Sequence, residues 1–415
     1  MEKKKHRKSL KPRVGMFIDV CYPTHPRIEN EANALIAAGY EVQLFCICYD
    51  RRLPSFEVID GLKVHRHIGG WLLAKLAPLA FTFPFFHLYM TRHIARFIRE
   101  NGIDFLHIHN MLIAPAVLRA NRALCLPVLL DVHEFTPEIM KHYRHVRTFP
   151  GKYLIDPKRW KRAYNRLVEK MDRILVVTDE AKAQLLEDPE IHVQPERVVV
   201  FPNTITRAIF LQYPIEPAIT AKYKGTYNIV YLGDTGLRRG TDTAIEAMPA
   251  LLREIPHARL VLVGKSSADH VLKTRVRELG LERQVVFEGW KDVSLFPSFI
   301  EVAGVCISPL KRNPHHDTTY ANKLFQYMAL GKPQVVSDCP AQSNLIRKVD
   351  AGLVHEAGNV DDFAKKVITL YRDRPLAARL GQNGAKAVAE TYHTEHTIGA
   401  MLAAYAEMKP QGSHF

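Results

Sequence analysis

VGMFIDVCYPTHPRIENEANALIAAGYEVQLFCIC, residues 14–48, decides the fold class. Val14 to Asp19 and Glu41 to Cys48 are short, mostly apolar runs, the composition of strands buried on both faces. Between them, Glu29 to Ala38 carries apolar residues at helical spacing and stops at Gly39, a residue suited to the left-handed conformation that closes a helix. Strand, helix and strand in succession make a βαβ unit, and that unit implies a parallel sheet.

The alternation continues outward. Phe105 to His109, Val128 to Val132, Ile174 to Val177 and Val198 to Phe201 read as further strands of the same sheet. A second series follows a loop containing Pro214 and Pro217, with strands at Ile229 to Leu232, Leu260 to Val263, Val285 to Glu288, Val305 to Ser308 and Gln334 to Ser337. The 415 residues exceed the roughly 250 to 300 at which one hydrophobic core stops growing. The expectation is an α/β protein of two Rossmann-like, doubly wound parallel-sheet domains facing across a cleft, with ligands at the carboxyl edges of the strands. The first domain is expected over 1–210 and the second over 222–393, with the boundary near 205–225. A closing helix at Thr394 to Met408 would pack back on the first.

With 47% hydrophobic and 24% charged residues the chain can bury two cores and is neither disordered nor fibrous. The net charge of +14 points to anionic partners. Residues 1–13 hold seven Lys or Arg (Lys3, Lys4, Lys5, Arg7, Lys8, Lys11, Arg13) against Glu2, so a solvated basic tail supplies six of the fourteen charges and weak peripheral attraction to anionic lipid. No motif for reading bases accompanies it, so no nucleic-acid partner is expected. The six cysteines include no CxxC pair, which indicates neither a zinc site nor a disulfide framework. Cys46 and Cys48 alternate in a strand, share one face and read as core packing in a reducing cytoplasm. Val14 to Val20 is too short and lacks the cleavage site of a signal peptide. Trp71 to Met90 is the most apolar stretch, but Lys75, Pro78, Pro84 and His87 interrupt it, so no membrane span is expected. A buried helix and loop is the first reading; a surface patch for a membrane or a lipid-linked acceptor is the second.

Three segments carry chemistry. The strand ending at Leu232 runs into Gly233-Asp-Thr-Gly-Leu-Arg238-Arg239-Gly240 and then a helix, an anion cradle in which glycines admit a phosphate to the backbone and arginines add charge-assisted hydrogen bonds. HHDTTYANKLFQYMALGKP, residues 315–333, reads as a helix over Tyr320 to Leu330 capped by Gly331. It would put Thr319, Asn322, Lys323 and Gln326 on one polar stripe able to hold ribose hydroxyls and a diphosphate, with Ala321, Leu324, Phe325 and Met328 on the apolar one. In the first half, Asp131-Val-His133-Glu134-Phe-Thr-Pro-Glu138 follows a strand directly and sets His133 among acids at a sheet edge, where it could orient a sugar hydroxyl. His107 and His109, and likewise His65 and His67, alternate in strands and read as packing or local hydrogen bonds; no metal site is expected.

These residues resemble the retaining glycosyltransferases of family 4, with the GT-B fold. The likeness runs over nearly the whole chain. It includes Asp19 to Arg27 with the helix ending at Ala38-Gly39, Asp131 to Glu134, Asp172 to Thr178, Tyr231-Leu-Gly233 with Arg239-Gly240, and above all Asn322-Lys323-Leu-Phe-Gln-Tyr-Met-Ala-Leu-Gly331-Lys-Pro333. The resemblance implies that a nucleoside diphosphate sugar, the co-substrate in place of any cofactor, is held by Gly233, Arg238, Trp290, His316, Asp317, Thr318, Thr319, Asn322, Leu324 and Gln326. His133, Arg239 and Lys323 would be catalytic, with His133 over the donor sugar, while Arg27, Asp131 and Glu138 stand on the side of a sugar or lipid-linked acceptor. Two departures stand out: where the family usually shows glutamates eight positions apart, this chain has Thr318 and Gln326. A carboxamide bonds a ribose less strongly than a carboxylate.

Departure of a nucleoside diphosphate leaves negative charge on a phosphate oxygen. The chain has no Asp-x-Asp, so the arginines, Lys323 and helix dipoles are the expected counter-charge, and transfer is expected to need no metal. The resemblance implies retention of configuration and a role in surface polysaccharide or glycolipid synthesis at the cytoplasmic face of a membrane. Two other readings remain open: a catalytically silent sugar-nucleotide-binding subunit, and a non-hydrolysing sugar-nucleotide epimerase, which would convert a donor without acceptor.

Overall fold

Two parallel sheets organise the chain. The computed structural model describes residues 11–408 apart from 24–25, 134, 143–145 and 147, and divides into two units. The first runs to Phe201 and takes back the segment from Ile398; the second is Pro202–Thr397. The basic tail before residue 11, and Glu134, lie outside the described residues.

In the first unit the strands are β1 (Arg13–Ile18), β2 (Glu41–Cys48), β3 (Phe56–Ile59), β4 (Leu62–Ile68), β5 (Phe105–His109), β6 (Val128–Val132), β7 (Arg173–Val176) and β8 (Val198–Val200). Their order is β3-β4-β2-β1-β5-β6-β7-β8, all pairs parallel except β3 with β4. Helices α1 (Pro26–Ala37), α2 (Trp71–Leu76), α3 (Phe85–Asn101), α4 (Ala114–Ala120) and α5 (Pro157–Val168) belong to this unit. Both faces of the sheet carry apolar layers: Phe17, Phe45, Met90 and Phe97 on one, Met16, Leu35, Leu44 and Tyr405 on the other. That two-sided burial is why the strands read as continuous apolar runs.

The hairpin β3/β4 is absent from the strand reading of the sequence. Its signal was Asp60-Gly61, both with positive φ (48° and 85°), the pair that a two-residue hairpin turn requires. Alternating exposure along the edge strand β3 hid the rest.

The second unit has β9 (Tyr227–Leu232), β10 (Ala258–Val263), β11 (Val285–Gly289), β12 (Ala303–Ser308), β13 (Gln334–Ser337) and β14 (Gly352–His355), in the order β11-β10-β9-β12-β13-β14, all parallel. Its helices include α6 (Thr241–Glu254), α7 (Lys323–Ala329), α8 (Val360–Arg372) and α9 (Arg374–Glu390). The helix α10 (Thr394–Glu407) begins in this unit and from Ile398 packs Met401, Ala404 and Tyr405 into the first. The boundary falls at Phe201/Pro202, ahead of the 205–225 expected, because Ile205 bridges to His393 and Phe210 is buried among second-unit side chains.

Strand order reverses beside β1 in the first sheet, between β2 and β5, and beside β9 in the second, between β10 and β12. At such a reversal the loops leaving two adjacent strands part to opposite faces, which opens a crevice for ligands.

Three local expectations change. Arg13 is part of β1 rather than of a free tail, donating to the Asn101 carbonyl at 3.1 Å and standing 3.4 Å from Glu41. Cys48, read as plain packing, is joined to Cys21 by a disulfide; the loop after β1 brings Cys21 beside β2, a proximity that spacing along the chain does not reveal. Trp71 to Met90 is not a buried helix and loop. Leu73, Phe86, His87 and Met90 face the core, but Trp71 is 76% and Phe85 59% exposed, because α2 and α3 cover the sheet with one face only. Among the described residues no helix is long and apolar enough to cross a membrane.

Candidate functional site

In the second unit the strand reversal at β9 builds one site from two distant segments. Gly233 follows β9 with φ 109°, and Gly240, φ 73°, precedes α6. A Cβ at Gly240 would stand 1.7 Å from the Pro309 carbonyl oxygen, so only glycine lets the loop after β9 close on the loop after β12. The Lys311 amide donates to the Arg238 carbonyl at 3.1 Å and completes the junction.

Lys323 rises into this junction from the start of α7. It is 7% exposed, its Nζ lies 3.6 Å from the centre of the Tyr231 ring, and a Cβ on Gly233 would stand 3.6 Å from that Nζ. Burial first, then the Arg239 charge, hold the ammonium well below its usual pKa. Arg238 and Arg239 reach one carboxylate, Asp234, at 3.6 and 3.5 Å. Two guanidinium groups thus share one acid beside a buried amine.

His316 completes the group. Burial and the charges of Arg239, Arg238 and Lys323 push its pKa down to about 4, so the ring is neutral. Its Nδ1 lies 2.7 Å from the Lys311 carbonyl and 2.8 Å from the Asn313 amide nitrogen, and its buried Nε2 has no partner among the described residues. A neutral acceptor nitrogen beside cations can take a hydroxyl proton.

The other expected donor residues sort by position. The helix over Tyr320 to Leu330 is shorter than expected: Thr319 lies before it, its hydroxyl on the His315 carbonyl, and Asn322 is the residue at its start. Lys323 and Gln326 are buried at their expected stripe, whereas the Leu324 side chain is in the core, which leaves only its backbone for a ligand. Asp317 is held by Arg312 through two bonds of 2.6 and 3.0 Å, and the Thr318 hydroxyl turns back to the Pro314 carbonyl. Neither presents a carboxylate for a sugar. Trp290 stands exposed at the carboxyl end of β11.

In the first unit, Arg27 and Asp131, expected on the acceptor side, are both buried. Arg27 on α1 bonds both Asp131 oxygens at 2.8 and 2.7 Å, lies 2.9 Å from Glu31 and covers the Phe201 ring at 4.4 Å. Burial pushes the Asp131 carboxyl up, but Arg27, His109 and His133 outweigh it and hold it well below the usual range. Burial, then the Asp131 charge, raise Glu31 well above its ordinary value. Its Oε2 lies 3.4 Å from Nε2 of His107 and 3.8 Å from Nε2 of His109, and burial keeps both rings neutral. Tyr405 of α10 meets His107 Nδ1 at 2.9 Å.

With a proton on Glu31 and Arg27 opposite Asp131, this interior group would carry no net charge. Glu31, His107 and His109 lie within 4.8 Å of one another, close enough to share a cation, but a divalent ion would unbalance what one proton balances. His133 is partly exposed at the end of β6, its Nδ1 3.1 Å from Asp131, which turns the opposite ring edge outward. Glu138 pairs with Lys141 at 2.5 Å. The sequence reading missed Glu31 and Tyr405 and gave Tyr231 no role of its own; an Arg and a Glu four apart on one helix face was the only local signal for the first.

Two family patterns match the chain: "Glycosyl transferase 4-like domain" over residues 24–204 and "Glycosyl transferases group 1" over 213–387. The GDP-mannose-dependent alpha-(1-6)-phosphatidylinositol monomannoside mannosyltransferase of Mycobacterium tuberculosis is 26% identical over 196 residues, 45% of this chain and 51% of that protein. The lipopolysaccharide core biosynthesis mannosyltransferase LpsB of Rhizobium meliloti is 24% identical over 178 residues, 41% of this chain and 49% of its own. The chain thus spans about half the length of these relatives. Among solved structures, sucrose-phosphate synthase from Thermosynechococcus elongatus superposes with a TM-score of 0.76 at 18% identity, covering 96% of this chain and 99% of that one.

Proposed function

We propose that this chain, a member of the family 4 glycosyltransferases with the GT-B fold, transfers a hexosyl residue from a nucleoside diphosphate sugar to an acceptor hydroxyl in glycolipid or polysaccharide synthesis. The observation that carries the reading is the buried Lys323 ammonium against Gly233, flanked by Arg238 and Arg239 with Asp234 as their common acid. Two guanidinium groups and a buried amine that gains its proton beside an anion, in a glycine-lined junction, are complementary to a diphosphate, and more so to a departing one. The matched relatives are named as a GDP-mannose-dependent lipid mannosyltransferase and a lipopolysaccharide mannosyltransferase, which supports a nucleotide-sugar donor and a lipid-linked or polysaccharide acceptor.

In this reading Lys323 and Arg239 neutralise the leaving diphosphate, Arg238 and the Gly233 backbone seat it, Asn322 and Gln326 hold the ribose, and Trp290 stands near the base. His316 Nε2 accepts from a donor-sugar hydroxyl, a substitute for the glutamate that the family usually has at the position of Thr318. His133, held in orientation by Asp131, is the first unit's candidate for bonding a sugar hydroxyl. Transfer proceeds with retention and with fixed cations in place of a metal.

The test is a thermal-shift series with UDP, GDP and ADP, with and without EDTA, on the wild type and Lys323→Ala. Saturation at 100 times Kd adds about 2.7 kcal/mol of stability. A shift with one diphosphate that survives EDTA and is lost in Lys323→Ala is expected. No shift with any diphosphate would sink the reading. Thr318, whose hydroxyl is turned away to Pro314, favours one other reading, a silent binding subunit; it predicts the same shift but no sugar transfer to any acceptor.

A further inference from the structure

A groove of about 520 Å³ opens on the first unit between Ala80–Pro84 and α5, apart from both groups described above. One wall is Phe81, Phe83 and Pro84. The other carries Arg159, Arg162, Arg166 and, just past the helix, Lys170, all exposed. Spacing of three and four residues sets the arginines on one stripe of α5. Among the described residues no carboxylate lies within ion-pair distance of any of the four, whereas Lys161 on the same helix is taken by Asp188. From Lys141 to Lys170 the chain has ten Lys or Arg and two acids, less dense than the basic tail but larger in net charge.

The rim is apolar and wet. Phe83 stacks with Phe85 at 6.3 Å between ring centres, and Trp71, Leu72 and Leu88 are exposed nearby on α2 and α3. The Thr82 hydroxyl bonds the Leu154 carbonyl at 2.6 Å, tying this rim to a loop that exposes Phe149 (79%) and Tyr153 (74%). A soluble anion needs the cations alone and would leave these rings in water. An anionic lipid uses both, phosphate on the guanidinium groups and aromatic rings at headgroup depth.

We propose that this groove binds the phosphate headgroup of an anionic membrane lipid, with Trp71, Phe85 and Phe149 entering the headgroup layer. The arginine stripe supplies the charge-assisted hydrogen bonds, and Lys170 extends the field along the groove. Lipid binding stands whatever the chain transfers. Only its use, keeping a lipid-linked acceptor beside the carboxyl ends of β4 and β5 from which α2 and α4 lead off, rests on the proposed function.

The test is co-sedimentation of the full chain with vesicles of phosphatidylcholine alone or with about 30 mol% phosphatidylglycerol. Wild type should bind the anionic vesicles, and Arg159→Gln/Arg162→Gln/Arg166→Gln should bind about a hundredfold more weakly with its nucleotide thermal shift intact. The matching triple Arg→Lys variant, which keeps the charge, should retain most of the binding. Glutamine replacement of Lys3, Lys4, Lys5, Arg7 and Lys8 separates the tail, and binding lost there but kept in the triple glutamine variant overturns the proposal. So does an absence of vesicle binding by the wild type, or displacement from vesicles by micromolar pyrophosphate, which would assign the groove to a free phosphate. A lost nucleotide shift with intact vesicle binding breaks the donor reading and leaves this one standing.

Discussion

The two buried charge groups answer burial in opposite ways. In the first unit Arg27, Asp131, Glu31 and two neutral histidines sum to no net charge once Glu31 keeps its proton, and every charge has an opposite in contact. In the second, Arg238 and Arg239 share Asp234, and Lys323 is desolvated with an aromatic face beneath it. A group that closes on itself holds a fold together; a group left with surplus charge is stable only with an anion still to come.

Breaking each group should therefore have unlike results. Arg27→Met strands Asp131 as an uncompensated buried carboxylate and is expected to cost about 3 to 5 kcal/mol of stability by urea denaturation. Lys323→Met removes a strained ammonium and should cost no stability while abolishing nucleotide binding. Equal stability losses in the two variants would erase the distinction.

A second effect sharpens it through pH. The pKa of Lys323 in the empty site is depressed, so diphosphate binding, which favours the charged amine, takes up a proton. Affinity should rise as pH falls from about 9 to 7, by at most tenfold per unit, with proton uptake seen by calorimetry in buffers of different ionisation enthalpy. A flat profile would show that Lys323 is already charged.

The smallest effect is at Glu31. Its folded pKa lies above the reference value of 4.5, so the folded state holds this proton more tightly; its contribution is full below that value and is lost as pH rises through the folded pKa. Glu31→Gln keeps the neutral shape and should remove that decline, gaining about 1 kcal/mol near pH 8 and little near pH 4. A loss of stability at pH 8 would mean that Glu31 is ionised and needed by Arg27.

Much of this was legible along the chain, because parallel strands buried on both faces must be apolar runs and helices over them must carry a stripe. Eleven strands of the two sheets follow from that rule. The hairpin at Asp60-Gly61 escaped because an edge strand alternates in and out of water, and β14 because it is an edge strand with three of its four residues only half-buried. The glycine loop at 233–240 and the lysine at 323 could be named from local chemistry, since glycine, arginine and a capped helix have few other uses in that order.

Tertiary structure alone decided which charges are spent. Arg27 and Asp131 are 104 residues apart and read as ligand-facing until their bidentate contact is seen; Asp317 reads as free until Arg312 holds it. The arginines of α5 show as one patch only once Phe81 and Phe83 close a groove against them, where among the described residues no carboxylate lies within ion-pair distance. A sequence records the residue types that can carry a charge or a hydrogen bond. Whether a group is satisfied within the protein or left over for a ligand depends on distances of a few ångströms between distant segments, and only the packed fold sets those.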